Sequence, residues 1–428
     1  MSVPGLAARR AAAGLLAGVL EHGRSLDDQE GALAGLAPAE RARARFLADA
    51  TLRHLGRIDA LLDRFLARRP PAATRMALRL AVAEIDVAGV APHAAVDGAV
   101  RLARAAPGGA RLAGLVNAVA RRVADGGPAL WAATPEAALP DPLGAALERA
   151  WGTAARAAIE AAQRERPPID LTLRDPGEAE ARALALGAER LPTGSLRLAG
   201  RPQITALPGY QDGAWWVQDA AAALPVRLLG PLAGRSALDL CAAPGGKTMQ
   251  LAAAGAAVVA VDASAARLAR LRDNLERTRL AAEVVAADAL AWRPDRRFDA
   301  VLLDAPCSAS GTLRRHPDLP WLRRDSDVAS LAARQVALLD RAWESVAAGG
   351  RLVYCVCSLL PEEGEAQVAG FLARNPAATV LPPEPERLGV PTDWIDAAGG
   401  LRTRPDLWPD RGGLDGFYAV CFGRPDAA

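Results

Sequence analysis

Two cysteines stand where residue type and spacing could do covalent chemistry. Cys307 follows Asp304 by three residues in "DAPCSASG", and Cys357 closes the apolar run "GRLVYCVCS". A thiolate is strongly nucleophilic and also departs readily, so a cysteine suits reactions that split one hard step into two. An acid beside it can exchange a proton or a hydrogen bond with the reacting group. A free cysteine is more often a small buried hydrophobe, and Cys241, Cys355 and Cys421 are expected to be that. Cys355 precedes Cys357 by two residues, so strand alternation sets both on one face and keeps Cys355 as a lesser candidate.

Asp239, Asp262, Asp288 and Asp304 each close a short apolar run. After the first comes the turn "CAAPGGKT", with Cys241, Ala242, Ala243, Pro244, Gly245, Gly246 and Lys247. A glycine turn that opens a helix brings backbone close to a ligand. Asp262 lies 23 residues after Asp239. An acid at the end of a second strand suits a ribose diol, because its oxygens accept both hydroxyl protons. Neither G-x-G-x-x-G nor G-x-x-x-x-G-K-[ST] occurs, which weakens dinucleotide and triphosphate readings. A nucleoside ligand without phosphate fits better. S-adenosylmethionine is one, and its amino-acid carboxylate could meet an ammonium. Lys247 is the only lysine among 51 Lys+Arg. Its compact charge suits a cramped site where a planar guanidinium would be too wide.

The elements that must position these groups follow from the pattern. From Arg235 onward, "SALDLCA", "AAVVAVD", "AEVVAAD", "FDAVLLD" and "GRLVYCVCS" are short β-rich runs separated by helical segments. Such runs predict a doubly wound parallel sheet with ligands outside the carboxyl ends of its strands. The strands ending in Asp304 and Cys357 are then neighbours, about 4.8 Å apart. Asp304, Cys307 and Cys357 therefore share one crevice. Residues 1–128 show helical spacing, with breaks at "RRPP", "GVAP", "APGG" and "DGGP", and predict an all-α domain. Residues 129–230 predict a small α/β module, and 231–428 the doubly wound domain. The fold class is thus multidomain, α followed by α/β.

The composition excludes several classes. A net charge of +2 names no partner, although residues 1–130 hold 18 Arg against 12 Asp+Glu. That local excess suits a phosphate-bearing partner and equally a solvated helical face. Five cysteines without a C-x-x-C, and four histidines, give neither a disulfide framework nor a zinc site. Arg9 and Arg10 precede an apolar run, but Glu21 ends it and no small-residue cleavage site follows, so the start reads as a helix and not as a signal peptide. No run reaches the length of a membrane span. The expectation is a metal-free cytoplasmic protein, and a monomer.

"LDLCAAPGGKT", "DAPCSASG" with "RRHPD", "CSLLPEEGE" and "LWPDRGGLDGFYAV" resemble the signature of the RNA cytosine-5 methyltransferases of the NOL1/NOP2/Sun group, over Arg166 to Arg424. "GVAPHAAVDGAVRLAR" and "LVNAVARR" resemble the closing helices of the NusB family, an RNA-binding helical fold. Together the resemblances imply methyl transfer from S-adenosylmethionine to carbon 5 of a cytidine in small-subunit (16S) ribosomal RNA, free of most ribosomal proteins. They imply Cys357 as nucleophile and Cys307 as helper in proton removal and release. Asp304 would hydrogen-bond the cytosine edge. Cys241 through Lys247, Asp262, Asp288 and Asp304 would line the cofactor pocket. "YCVCS" departs from the pattern, which has a small residue and then Thr before the nucleophile, and adds a thiol.

From the residues alone either cysteine could attack. DNA cytosine methyltransferases carry the nucleophile in the "PC" after the fourth strand, here Cys307. A non-catalytic RNA-binding assembly factor that retains cofactor binding is a further alternative. A small-molecule methyltransferase is disfavoured by the front domains. "GTLRRHPDLPWLRR" (Gly311–Arg324), with four arginines and a histidine, is expected to meet RNA phosphates beside the target base; a solvated loop is the equal alternative, and the sequence leaves open whether Arg314, Arg315 and His316 make the contact.

Overall fold

Apolar residues at helical spacing build the first half of the chain, and runs buried on both faces build the second. The computed structural model describes residues 5–322 and 325–426. Contacts divide the chain into two compact units, Met1–Ala145 with Arg315–Arg323, and Ala146–Arg314 with Arg324–Ala428.

The first unit is helical. Its longer helices are Leu6–Leu20, Pro38–Arg53, Leu55–Asp63, Ala72–Val82, Pro92–Ala105 and Ala113–Ala132. Pro38 and Pro92 open their helices where the missing N–H costs nothing. The expected breaks separate these helices, and "DGGP" interrupts the last at Gly127, whose φ is 55°. Leu16, Leu47, Ile58, Leu78, Val116 and Val119 form the centre of one continuous core. Trp321 and Leu322 pack against it, and Asp318 accepts a hydrogen bond from Leu26 N at 2.8 Å.

The second unit begins within the helix Leu143–Arg164. A four-stranded antiparallel sheet follows: β1 (Asp170–Leu173), β2 (Ala188–Arg190), β3 (Leu196–Leu198) and β4 (Trp215–Val217), in the order β2-β3-β1-β4. The large sheet contains β5 (Ser236–Leu240), β6 (Ala257–Asp262), β7 (Glu283–Ala286), β8 (Phe298–Asp304), β9 (Val346–Val356), β10 (Thr379–Val380), β11 (Leu401–Thr403) and β12 (Phe417–Gly423). Its order is β10-β12-β9-β8-β5-β6-β7, with β11 paired to β12. The five strands β5 to β9 are parallel to one another, as the pattern predicted. Alternate residues feed two cores. Leu238, Val301, Leu303 and Tyr354 enter one, while Ala237, Leu302, Val353 and Cys355 enter the other. Burial on both faces explains why these runs read as continuous apolar stretches.

Two boundaries differ from expectation. Asp288 lies two residues past the end of β7 and Cys357 one past the end of β9. Beside β9 the sheet continues with β12, an antiparallel strand that the alternation of strands and helices did not foretell.

Candidate active site

The carboxyl ends of β5, β6, β8 and β9 carry the candidate groups. β5 passes into the turn through Cys241, which takes the left-handed φ of 62°. Gly245, at φ 106°, then caps the helix Gly246–Ala253. A side chain at Gly245 would be strained by that φ, and its Cβ would lie 3.0 Å from Leu271 Cγ. Asp239 is fully buried; its Oδ2 accepts from Thr248 Oγ1 at 2.6 Å, and its Oδ1 has no hydrogen-bond partner among the described residues. Burial pushes its pKa up to about 7, against the lowering effect of the Thr248 hydroxyl.

Asp262, at the end of β6, is only 4% exposed. It accepts from Ser264 N through Oδ1 at 2.8 Å and from Ala243 N through Oδ2 at 3.1 Å, tying its strand end to the turn. Arg267 also reaches the Ala243 carbonyl. Asp288 is half exposed, and its Oδ1 accepts from Leu290 N at 3.0 Å.

Asp304, at the end of β8, pairs with Lys247. The Lys247 ammonium donates to Asp304 Oδ2 at 2.8 Å and lies 5.2 Å from the centre of the Phe417 ring. Lys247 is 9% exposed. Burial acts to depress its pKa, but the Asp304 carboxylate overrides burial and the pKa is raised, so the ammonium keeps its proton. Asp304 Oδ1 lies 3.5 Å from Cys355 Sγ. Burial pushes the Cys355 thiol well up, with Asp304 adding to it. Burial likewise pushes Cys241 and Cys421 up to about 12. Those thiols are inert at neutral pH.

Cys307 and Cys357 meet. Their sulfurs are 3.4 Å apart. The register of the two strands explains this, since Asp304 of β8 pairs with Cys355 of β9. Beyond the strands the two chains stay zipped together: Ala305 N donates to Cys355 O at 2.9 Å, and Gly311 N to Cys357 O at 3.0 Å. Gly311 in turn accepts from Gly416 N at 2.8 Å, and a Cβ at Gly311 would fall 1.9 Å from Gly416 O. Only glycine permits this backbone approach. The hydrogen bond to Cys357 is the largest influence raising the Cys307 pKa, followed by burial. Either sulfur can be the S–H donor in this contact.

The arginine loop corrects one expectation. Arg314 is 1% exposed and does not face solvent. It donates to Asp415 Oδ1 at 2.7 Å, to Asp219 Oδ2 at 3.0 Å and to Gly412 O at 2.9 Å. Two buried carboxylates hold its guanidinium, so it cannot contact RNA phosphates. His316 is partly exposed and lies 3.8 Å from Asp27 within the helical unit. Arg315 belongs to that unit too. Arg323 and Arg324, also in that stretch, lie outside the described residues.

Reading the sequence missed Glu363. It is fully buried at the start of the helix-bearing segment after Cys357. In "PEEGE" nothing in type or spacing separates it from Glu362, which is exposed, or Glu365, which pairs with Arg402. Phe417 was missed with its strand.

Comparison with known proteins gives the family. The model of the 16S rRNA methyltransferase RsmB/F family matches residues 226–422, and that of the NusB family matches 6–125. The ribosomal RNA small subunit methyltransferase B of Citrobacter koseri is 38% identical over 85% of this chain and 89% of its own length. That of Klebsiella pneumoniae strain 342 is 36% identical over 96% of both. The crystal structure of a protein called PH0851 aligns over 99% of both chains at 22% identity with a TM-score of 0.71, a likeness of fold.

Proposed function

The chain belongs to the 16S rRNA methyltransferase RsmB/F family, and from that premise we propose that it methylates carbon 5 of a cytidine in small-subunit ribosomal RNA through a bond between Cys357 and the base. The observation that carries this reading is the 3.4 Å contact between Cys307 and Cys357, on strand ends that Asp304 and Cys355 pair in register. Carbon 5 of cytosine is a poor nucleophile. Addition of a thiolate to carbon 6 makes carbon 5 enamine-like. Cys357 is assigned as the attacking sulfur by the resemblance of "CSLLPEEGE" to the family signature, with Cys307, 3.4 Å away, as its helper. Asp304 hydrogen-bonds the cytosine edge and favours protonation at ring nitrogen 3, which draws electrons from carbon 6. After methylation, loss of the carbon 5 proton and departure of Cys357 restore the aromatic ring, with Cys307 assisting. The target base must leave its stack to enter such a cleft.

S-adenosylmethionine, when bound, supplies the methyl group from its sulfonium. The residues fit it. Each oxygen of Asp262 accepts one backbone N–H and keeps a lone pair for a ribose hydroxyl. Asp239 Oδ1 is a buried acceptor without a partner beneath the same turn. The backbone from Cys241 to Lys247, with Asp262, Asp288 and Asp304, would hold the ligand. On the helical unit Arg104, Arg111, Arg121 and Arg122 are exposed and supply positive charge for RNA.

The test is incubation of the protein with tritiated S-adenosylmethionine and deproteinised small-subunit RNA, then mapping of the label. Label recovered as 5-methylcytidine at one position supports the reading. Absence of label, or label on another atom or base, rejects it.

A further inference from the structure

Each reactive cysteine is followed by a serine, Ser308 after Cys307 and Ser358 after Cys357. One buried carboxylate, Glu363, holds both. Its Oε1 accepts from Ser308 N at 2.8 Å and from Gln335 Nε2 at 3.1 Å. Its Oε2 accepts from Ser308 Oγ at 2.5 Å and from Ser358 Oγ at 2.5 Å. Ser308, Ser358, Gln335 and Glu363 are all at most 3% exposed. Among the described residues no arginine, lysine or histidine forms an ion pair with Glu363. A carboxylate in such a place is satisfied only by donors.

The cluster ties down the rest of both loops. Ser308 Oγ lies 3.2 Å and Ser310 Oγ 3.1 Å from Ser358 Oγ. Leu359 N donates to Ser310 Oγ at 2.9 Å, and Gln335 also donates to Pro306 O at 2.9 Å. Tyr354 Oη donates to the Glu363 carbonyl at 2.6 Å, fixing the carboxylate's own backbone to β9.

We propose that Glu363 is a positioning residue whose carboxylate sets the contact between Cys307 and Cys357 by clamping the serine that follows each. The proposal rests on the cysteine chemistry assigned under Proposed function. Two oxygens, each taking one donor from the Cys307 loop, leave little freedom for that loop to turn. Ser358 binds the same Oε2, so the second loop is referred to the first through a single atom. Glutamine at this position would present an NH2 group to donors and leave at least one conflict. Aspartate keeps the acceptors but is a methylene short of reaching both serines. The carboxylate also acts through charge: with the Cys357 contact and burial ahead of it, Glu363 helps to raise Cys307.

Glu363→Gln and Glu363→Asp are compared with wild type in three measurements: methyl transfer, adduct formation with RNA containing 5-fluorocytidine, and iodoacetamide labelling of Cys307 against pH. Fluorine on carbon 5 blocks the proton loss that releases the enzyme, so adducts persist. For Glu363→Gln the expected loss in kcat is about 100-fold, the cost of a misplaced reacting group, with KM for the methyl donor within about twofold. The pH of half-maximal Cys307 labelling falls, and Glu363→Asp lies between. A folded Glu363→Gln protein with kcat within about threefold of wild type overturns the proposal. So does a loss shared by kcat and KM with unmoved Cys307 labelling. If Glu363→Gln does not fold, Ser308→Ala/Ser358→Ala removes the two hydroxyl donors and must show the same signature. Unfolding of that variant as well assigns the carboxylate to the fold alone and overturns the proposal. Failure of wild type to form an adduct rejects the cysteine chemistry itself, while the labelling curves still test the clamp.

Discussion

Lys247 Nζ and Asp304 Oδ2 lie 2.8 Å apart, and Lys247 is the one lysine among 51 Lys+Arg. The lysine stem passes through a site that leaves it 9% exposed, and its ammonium stops 5.2 Å from the Phe417 ring centre. A guanidinium is wider, planar and carries five donors. Lys247→Arg must either displace Phe417 or lose Asp304. Overpacking of this kind costs about 1–3 kcal/mol. Where that cost is carried by the cofactor-binding form, the variant binds S-adenosylmethionine about 5- to 150-fold more weakly, since about 1.4 kcal/mol corresponds to one decade. Calorimetric titration measures this. Wild-type affinity and turnover would show that width is not why lysine stands here.

The sulfur pair makes opposite demands on its two alanine variants. Cys357→Ala removes the sulfur that bonds carbon 6, so no RNA–protein adduct should survive denaturing electrophoresis. Cys307→Ala leaves the attack possible and removes the group that assists release, so adducts with unmodified RNA should accumulate. If Cys307→Ala instead abolished the adduct and Cys357→Ala preserved it, the two roles would be exchanged. Both outcomes are read from the same gel.

Arg314 stabilises the fold more than it serves RNA. Its guanidinium is held by Asp219 and Asp415, which are 2–3% exposed at the side chain. Removing one partner of a buried pair leaves uncompensated charge and costs about 3–5 kcal/mol. Arg314→Ala should therefore lower the thermal unfolding midpoint by several degrees. The salt dependence of RNA binding by the protein that remains folded should match wild type, because no phosphate contact is lost. A flattened salt slope with an unchanged melting midpoint would return Arg314 to the RNA surface.

What was legible in the sequence follows from burial and from which neighbours a residue type requires. β5, β6, β8 and β9 are apolar along their length because both faces are covered, and their ends were visible as acids or cysteines. The neighbourhood of Asp304, Cys307 and Cys357 followed from strand order alone. Arg314 was misread because an arginine among arginines carries no mark of burial; Asp219 lies 95 residues away and Asp415 lies 101 away. Glu363 was invisible for the same reason. Of its partners only Ser358, five residues away, is local; Ser308 and Gln335 are 55 and 28 residues distant, and a local pattern contains neither. β12 pairs antiparallel with β9 from the far end of the chain, so no alternation of strand and helix announces it.

Asp239 offers a prediction that needs no substrate. It is fully buried, and burial raises its pKa most, with Asp304 and Asp262 adding to it and Thr248 and Lys247 opposing. Its pKa is about 7 in the folded protein, against about 3.9 for an aspartate in an unfolded chain. Between those values the folded protein binds the proton and the unfolded chain does not. The stability this group contributes is complete below the unfolded pKa and is lost as pH rises through the folded one. Asp239→Asn has the same shape and does not titrate. Wild type should therefore lose stability relative to Asp239→Asn as pH rises from about 4 to about 7, by at most about 1.4 kcal/mol per pH unit for one proton, and lose no more above that. Urea denaturation of both proteins across this range measures the difference. A difference that stays constant with pH, or grows in wild type's favour, would show that Asp239 is ionised in the fold and that Lys247 balances two carboxylates in place of one.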